Sequence, residues 1–160
     1  MGLILEWSLE DNLILGQERL KGFSRGPFLK RTEIGTHAAK LVEDFDIKPR
    51  RTDLSASGFS GGNQQKAVLA RELHPVPKFV IVAQPTRGVD IGAIEFIHSK
   101  ILELRDQGAA ILLISAELDE ILALGDRVLV LYRGRKMGDM RLEDASVQQL
   151  GLMMMGSEAA

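Results

Sequence analysis

SGGNQQK, residues 60–66, decides the reading of this chain, because a serine and two glycines stand where a helical pattern begins. A helix start leaves its first N–H groups without intrahelical partners and carries partial positive charge, so it attracts an anion. Gly61 and Gly62 let a backbone approach a phosphate closely, and the Ser60 hydroxyl can cap the helix or touch a phosphate oxygen. Taken alone, a Ser-Gly-Gly triplet is equally an ordinary capped helix after a flexible turn.

A second stretch, KFVIVAQPTRGVD at 78–90, separates those readings. A short apolar run of strand length breaks at Gln84-Pro85-Thr86 and continues into Arg87-Gly88-Val89-Asp90. The order is a phosphate-cradling helix, a Pro-containing turn, a buried strand and a polar loop. In this order and at this spacing SGGNQQK resembles the signature motif of the ATP-binding cassette (ABC) ATPases, and VIVAQPTRGVD resembles their Walker B strand and D-loop. NQQK together with PTRGVD is most similar to the second cassette of the tandem ATPases that energise bacterial uptake of simple sugars and nucleosides. The likeness covers nearly the whole chain.

Length and composition agree with that resemblance without producing it. At 160 residues the chain is long enough to bury a core. A net charge of −2 with intermixed signs gives no basic stripe, which disfavours nucleic acid as a partner. Having no cysteine excludes disulfides and thiolate metal sites. The longest apolar stretch, AAILLIS at 109–115, is far short of the roughly 18 residues a membrane helix needs, and no export signal is visible at the N-terminus.

Periodicity predicts an α/β protein. Residues 3–6 are expected to be extended, Ser8 and Asp11 to form a capping box on a helix to about Leu15, and 21–31 to be a basic loop. A helix is expected from Thr32 to Lys48, strands at 78–83, 109–115, 127–132 and 136–141, and helices at 92–106, 117–124 and from Ser146. Alternating strands and helices imply a mainly parallel sheet, preceded by a mostly helical lobe. The division expected is 1–75 for the signature-bearing lobe and 76–160 for the C-terminal part of the α/β core. The resemblance implies that this is a partial P-loop NTPase-type cassette and that the lobe faces a membrane-spanning partner. The loop at 22–31 is then either a partner surface or a solvated basic loop.

The P-loop pattern G-x-x-x-x-G-K-[ST] does not occur in the sequence. In the resembled family it precedes the signature lobe, so the Walker A segment is expected to lie outside this chain, through truncation or an incomplete reading frame. Other chemistry positions are altered. Where the family carries a magnesium-holding aspartate and a water-polarising glutamate at the end of Walker B, this sequence has Ala83 and Gln84; Ala116 stands in place of the switch histidine. Alanine has no ligand atom, and glutamine cannot accept a proton at neutral pH, removing a term worth roughly 10²–10⁴ in rate. The chain alone is therefore expected to be catalytically inactive and to hold no metal.

In the resembled family two cassettes dimerise head to tail, each lending its signature to the other's ATP. That arrangement implies that Ser60, Gly61, Gly62 and Asn63 face the γ-phosphate, Gln64 the ribose or phosphate edge, and Asp90 the dimer contact. ATP is the implied cofactor, with Mg²⁺ held by the partner cassette. Implied partners are a complete first cassette, an integral membrane permease and, indirectly, a periplasmic or lipoprotein solute-binding protein; the implied location is cytoplasmic, on the inner face of the membrane. Two alternatives stand beside it: a DNA-repair or chromosome-type ATPase head, though no long heptad pattern is visible, or a non-functional cassette remnant. His37, His74 and His98 lack metal-ligand spacing and are expected on helix surfaces or ends; Glu117–Glu120 are expected to be a solvated helix face.

Overall fold

The computed structural model describes residues 2–17 and 22–157, and these divide into two compact units. The first runs to Lys78 and takes in Thr86–Ile97; the second comprises Phe79–Pro85 and the chain from His98 onward. The lobe expected over 1–75 forms the bulk of the first unit, and Thr86–Ile97, expected with the second, clusters with the first.

In the first unit, helix α1 (Leu9–Leu13) starts at Ser8, whose Oγ accepts from the Asp11 N–H and donates to its carboxylate at 2.8 Å. Residues 3–6 are not extended. The buried Asn12 amide folds them into a turn, its Oδ1 accepting from Ile4 N–H at 2.8 Å and its Nδ2 donating to the Ile4 carbonyl at 2.9 Å. Strands β1 (Ser24–Arg25) and β2 (Phe28–Leu29) form a small antiparallel hairpin inside the stretch expected as loop, reversing at Gly26, where φ is 62°. Lys21 of that expected loop lies outside the described residues.

Helix α2 spans Arg31–Asp44 and buries Ile34, Ala38, Leu41 and Val42 at helical spacing. It stops before the expected Lys48 because Asp46 turns left-handed at φ 45°. The Asp46 N–H then reaches the Glu43 carbonyl, the Ile47 N–H reaches that of Val42, and Ile47 is buried behind the stop. After a 3₁₀ turn at Ala56–Gly58 comes helix α3 (Gly61–Leu73), which buries Ala67, Leu69, Ala70 and Leu73.

In the second unit, strand β3 (Phe79–Ala83) lies parallel to β4 (Ala110–Ile114), with Ala83 opposite Ile114. Helix α4 (Ile91–Asp106) contains the unit boundary and ends at Gly108, φ 89°, where the Ala109 N–H reaches the Leu104 carbonyl. Helix α5 (Leu118–Leu124) leads to β5 (Arg127–Tyr132) and β6 (Arg135–Arg141), an antiparallel ribbon turning at Arg133-Gly134 with both φ positive. Helix α6 (Val147–Met154) packs Leu150 and Met153 against Val128 and Val130, with Leu118, Ile121 and Leu122 around them.

Candidate functional site

Helix α3 begins with Ser60 as its cap and with Ser60 and Gly61 exposed, so its N-terminus is open to an anion there. Gly62 is buried, and the Asn63 N–H, expected to face a phosphate, points at Ser60 Oγ instead. Asn63 reaches back, donating from Nδ2 to Ser60 Oγ at 2.9 Å. Gln64 has a different use from the phosphate or ribose edge expected of it. Its Nε2 donates to the carbonyls of Ala56 and Phe59 at 3.1 and 3.0 Å and so ties the 3₁₀ turn to the helix. Lys66, the last residue of the motif, donates to the Asp46 carbonyl at 3.0 Å with its ammonium 4.4 Å from the Phe96 ring centroid. The motif thus divides into an exposed start and a tail that fastens α3 to its surroundings.

Asp90 stands beside that start. Its Oδ1 caps α4 by accepting from Ala93 N–H at 2.9 Å. Oδ2 and the Ala93 methyl approach Gly62 so closely that a Cβ there would sit 3.2 Å from each. A Cβ on Gly61 would meet the Gly88 carbonyl at 3.6 Å. The glycine at 62 therefore lets Asp90 and Ala93 lie directly against the opening of α3, whereas a methyl at 61 would make only an ordinary contact. The structure brings Ser60, Gly61, Gly62, Asn63 and Asp90 together in one unit.

Within the second unit the altered positions share one edge. Parallel pairing places the carboxyl ends of β3 and β4 side by side, the location where open α/β sheets bind ligands. Ala83 ends β3, Gln84 adds one more rung by donating its N–H to the Ile114 carbonyl at 2.8 Å, and Ser115-Ala116 follow β4. Gln84 holds a left-handed backbone at φ 50°, an uncommon state for a side chain of its size, fixed between that bond and the fully buried Pro85. Two methyls and a neutral amide offer no carboxylate, so this edge does not fit a magnesium ion.

Comparison with known proteins gives these positions their context. No protein-family model matches. The nucleoside import ATP-binding protein NupA of Lactococcus lactis subsp. cremoris is 44% identical over 155 residues, 97% of this chain and 31% of that protein. The guanosine import ATP-binding protein NupO of Bacillus subtilis is 41% identical over 98% of this chain and 31% of its own length. The chain belongs to the ATP-binding cassette family. It spans about a third of the length of these curated relatives. A solved dimeric ATP-binding cassette in a post-hydrolysis state, bound to ADP and Pi, superposes with a TM-score of 0.69 over 88% of this chain and 59% of that one; at 21% identity the likeness speaks for the fold.

This cassette chain also places residues that periodicity misjudges. Glu120, expected on a solvated face, is buried with Oε1 3.3 Å from His98 Nε2, whereas Glu117 and Asp119 are exposed. His37 is packed between Phe23 and His74, at ring-centroid separations of 4.9 and 5.5 Å. Among the described residues no group of three or more His, Asp or Glu side chains is arranged to hold a metal. No described helix is long and apolar enough to cross a membrane. The role of Asn12 had one signal in the sequence: a polar residue between the apolar Leu9 and Leu13 of a short helix.

Proposed function

We propose that this chain is part of the ATP-binding component of an importer of nucleosides or simple sugars, and that it lends the α3 start to an ATP site whose P-loop stands on a partner cassette. The observation that carries the reading is the contrast between the two units. An exposed, glycine-fitted helix start with Asp90 beside it is preserved, whereas the carboxyl edge of β3–β4 holds Ala83, Gln84 and Ala116. The first can steady phosphoryl oxygens, since the loose transition state of phosphoryl transfer depends on positioning and electrostatics. The second offers neither a metal ligand nor a base. In this reading the Ser60 hydroxyl and the exposed start of α3 at Gly61 face the γ-phosphate, with the Asn63 N–H turned to Ser60 Oγ instead; Asp90 lies at the contact with the partner, and Mg²⁺ is held by the partner's residues. The import functions in the relatives' names support a permease as the membrane partner.

The test pairs this chain with a complete cassette and measures magnesium-dependent ATP turnover. Ser60→Arg, which places bulk and charge in the cradle, is expected to abolish the turnover of the pair. The chain by itself is expected to show none above background. Hydrolysis by the lone chain, or an undiminished rate with Ser60→Arg, overturns the proposal.

A further inference from the structure

The Asn63 side chain can be oriented without ambiguity, because one of its partners is a backbone N–H. Lys48 N lies 2.7 Å from Oδ1, and an N–H can only donate. The carbonyl oxygen of Asn63 therefore faces Lys48 and its NH₂ faces Ser60, 2.9 Å from Oγ. The Asn63 backbone N–H points at the same oxygen from 3.4 Å. Both lone pairs of the Ser60 hydroxyl are thus directed at donors from one residue, and its hydrogen is left to point away from Asn63. Ser60 is exposed, so the hydrogen points to the open side of the helix start.

The anchor at Lys48 is itself held. The 46–48 turn is fastened by the Ile47 N–H to the Val42 carbonyl at 2.9 Å and by Lys66 to the Asp46 carbonyl. Lys66 is only 13% exposed at its side chain and stacks on Phe96, while Lys48 Nζ pairs with the Asp46 carboxylate at 3.3 Å. We infer that Asn63 is a positioning residue that makes Ser60 a dedicated hydrogen-bond donor toward an oxyanion, with the end of α2 as the fixed point. This rests on the phosphoryl reading of Ser60 above and adds to it a direction for the hydroxyl and a function for the Asn63 side chain.

Two measurements decide it. In the lone chain, Ser60→Ala is expected to shift the Asn63 side-chain NH₂ resonances and leave the Lys48 amide in place; an unmoved NH₂ signal overturns the inference whatever the nucleotide does. With a complete cassette and ATP, Ser60→Ala and Asn63→Ala are each expected to lower kcat by roughly a hundredfold, the scale of one lost oxyanion donor, with KM little changed. The double variant is expected to be no slower than Ser60→Ala alone, since Asn63 acts through Ser60. Losses that multiply, or an Asn63→Ala that weakens stability with kcat intact, overturn the inference. A wild-type pair without turnover sinks the proposed function and leaves the resonance measurement to decide the role of Asn63.

Discussion

Lys66 shows how a single motif residue can be structural while its neighbours face solvent. Its charge sits mostly out of water but is satisfied by the Asp46 carbonyl and the face of Phe96. Lys66→Met keeps the length and the packing and removes the charge-assisted bond. It is expected to cost about 1–3 kcal/mol, read as a lower urea midpoint at unchanged slope. Asp53 offers a test in the opposite regime. The Arg51 guanidinium grips it with bonds of 2.8 and 2.6 Å and holds its carboxyl down at about 2, against an ordinary value of 3.8. A lowered folded pKa means that the pair's contribution is fully present above pH 3.8 and is lost as pH falls through about 2. A carboxyl NMR titration is expected to find the Asp53 midpoint near that low value, and Arg51→Ala is expected to return it toward the ordinary one. Both groups are exposed, so the effect on global stability is expected to be small.

At the scale of elements, helix α6 is set by its cap and by one buried leucine. Ser146 Oγ accepts from Gln149 N–H at 3.1 Å, and Leu150 is fully buried between Met153, Val128 and Val130. Ser146→Ala is expected to lose about 1 kcal/mol and Ser146→Gly only a few tenths; Leu150→Ala is expected to lose about 2–5 kcal/mol. Thermal melts of the three variants check the ranking. The helices and strands around this core are legible in the sequence because period 3.6 and period 2 are written in Leu, Ile and Val. Boundaries set by side-chain hydrogen bonds are not. Asp46 ends α2 early by taking a left-handed turn usually given to glycine, Asn12 curls residues 3–6 that read as extended, and Glu120 is drawn inward by His98. The candidate site divides the same way. Ser-Gly-Gly and Asp90 are recognisable from residue type and spacing, whereas the use of Gln64 to hold the Ala56–Gly58 turn depends on carbonyls that no sequence pattern displays.

At the scale of the molecule, the surface is decided by the parallel pair. Strand alternation buries Val82 on one face of β3–β4 and leaves Phe79, Ile81, Leu112 and Ile114 on the other, each about half exposed. A contiguous apolar face of this kind on a chain carrying a net charge of only −2 has little electrostatic repulsion to keep copies apart. The purified chain is therefore expected to bind the dye ANS at neutral pH. Light scattering is expected to rise as pH falls from 8 toward the sequence pI of about 5.9, where the remaining repulsion vanishes. Ile81→Lys with Leu112→Lys places two charges on opposing positions of that face, since the residues are register partners. Their Cβ atoms lie close enough for like charges to destabilise the pairing slightly, by a few tenths of a kcal/mol to about 1 kcal/mol. The double variant is accordingly expected to keep its far-UV circular dichroism, to melt a few degrees lower, and to lose most of the dye signal and scattering. Dye binding that survives both lysines would place the exposed apolar surface on another element, with the β5 residues Leu129 and Leu131 the next to substitute.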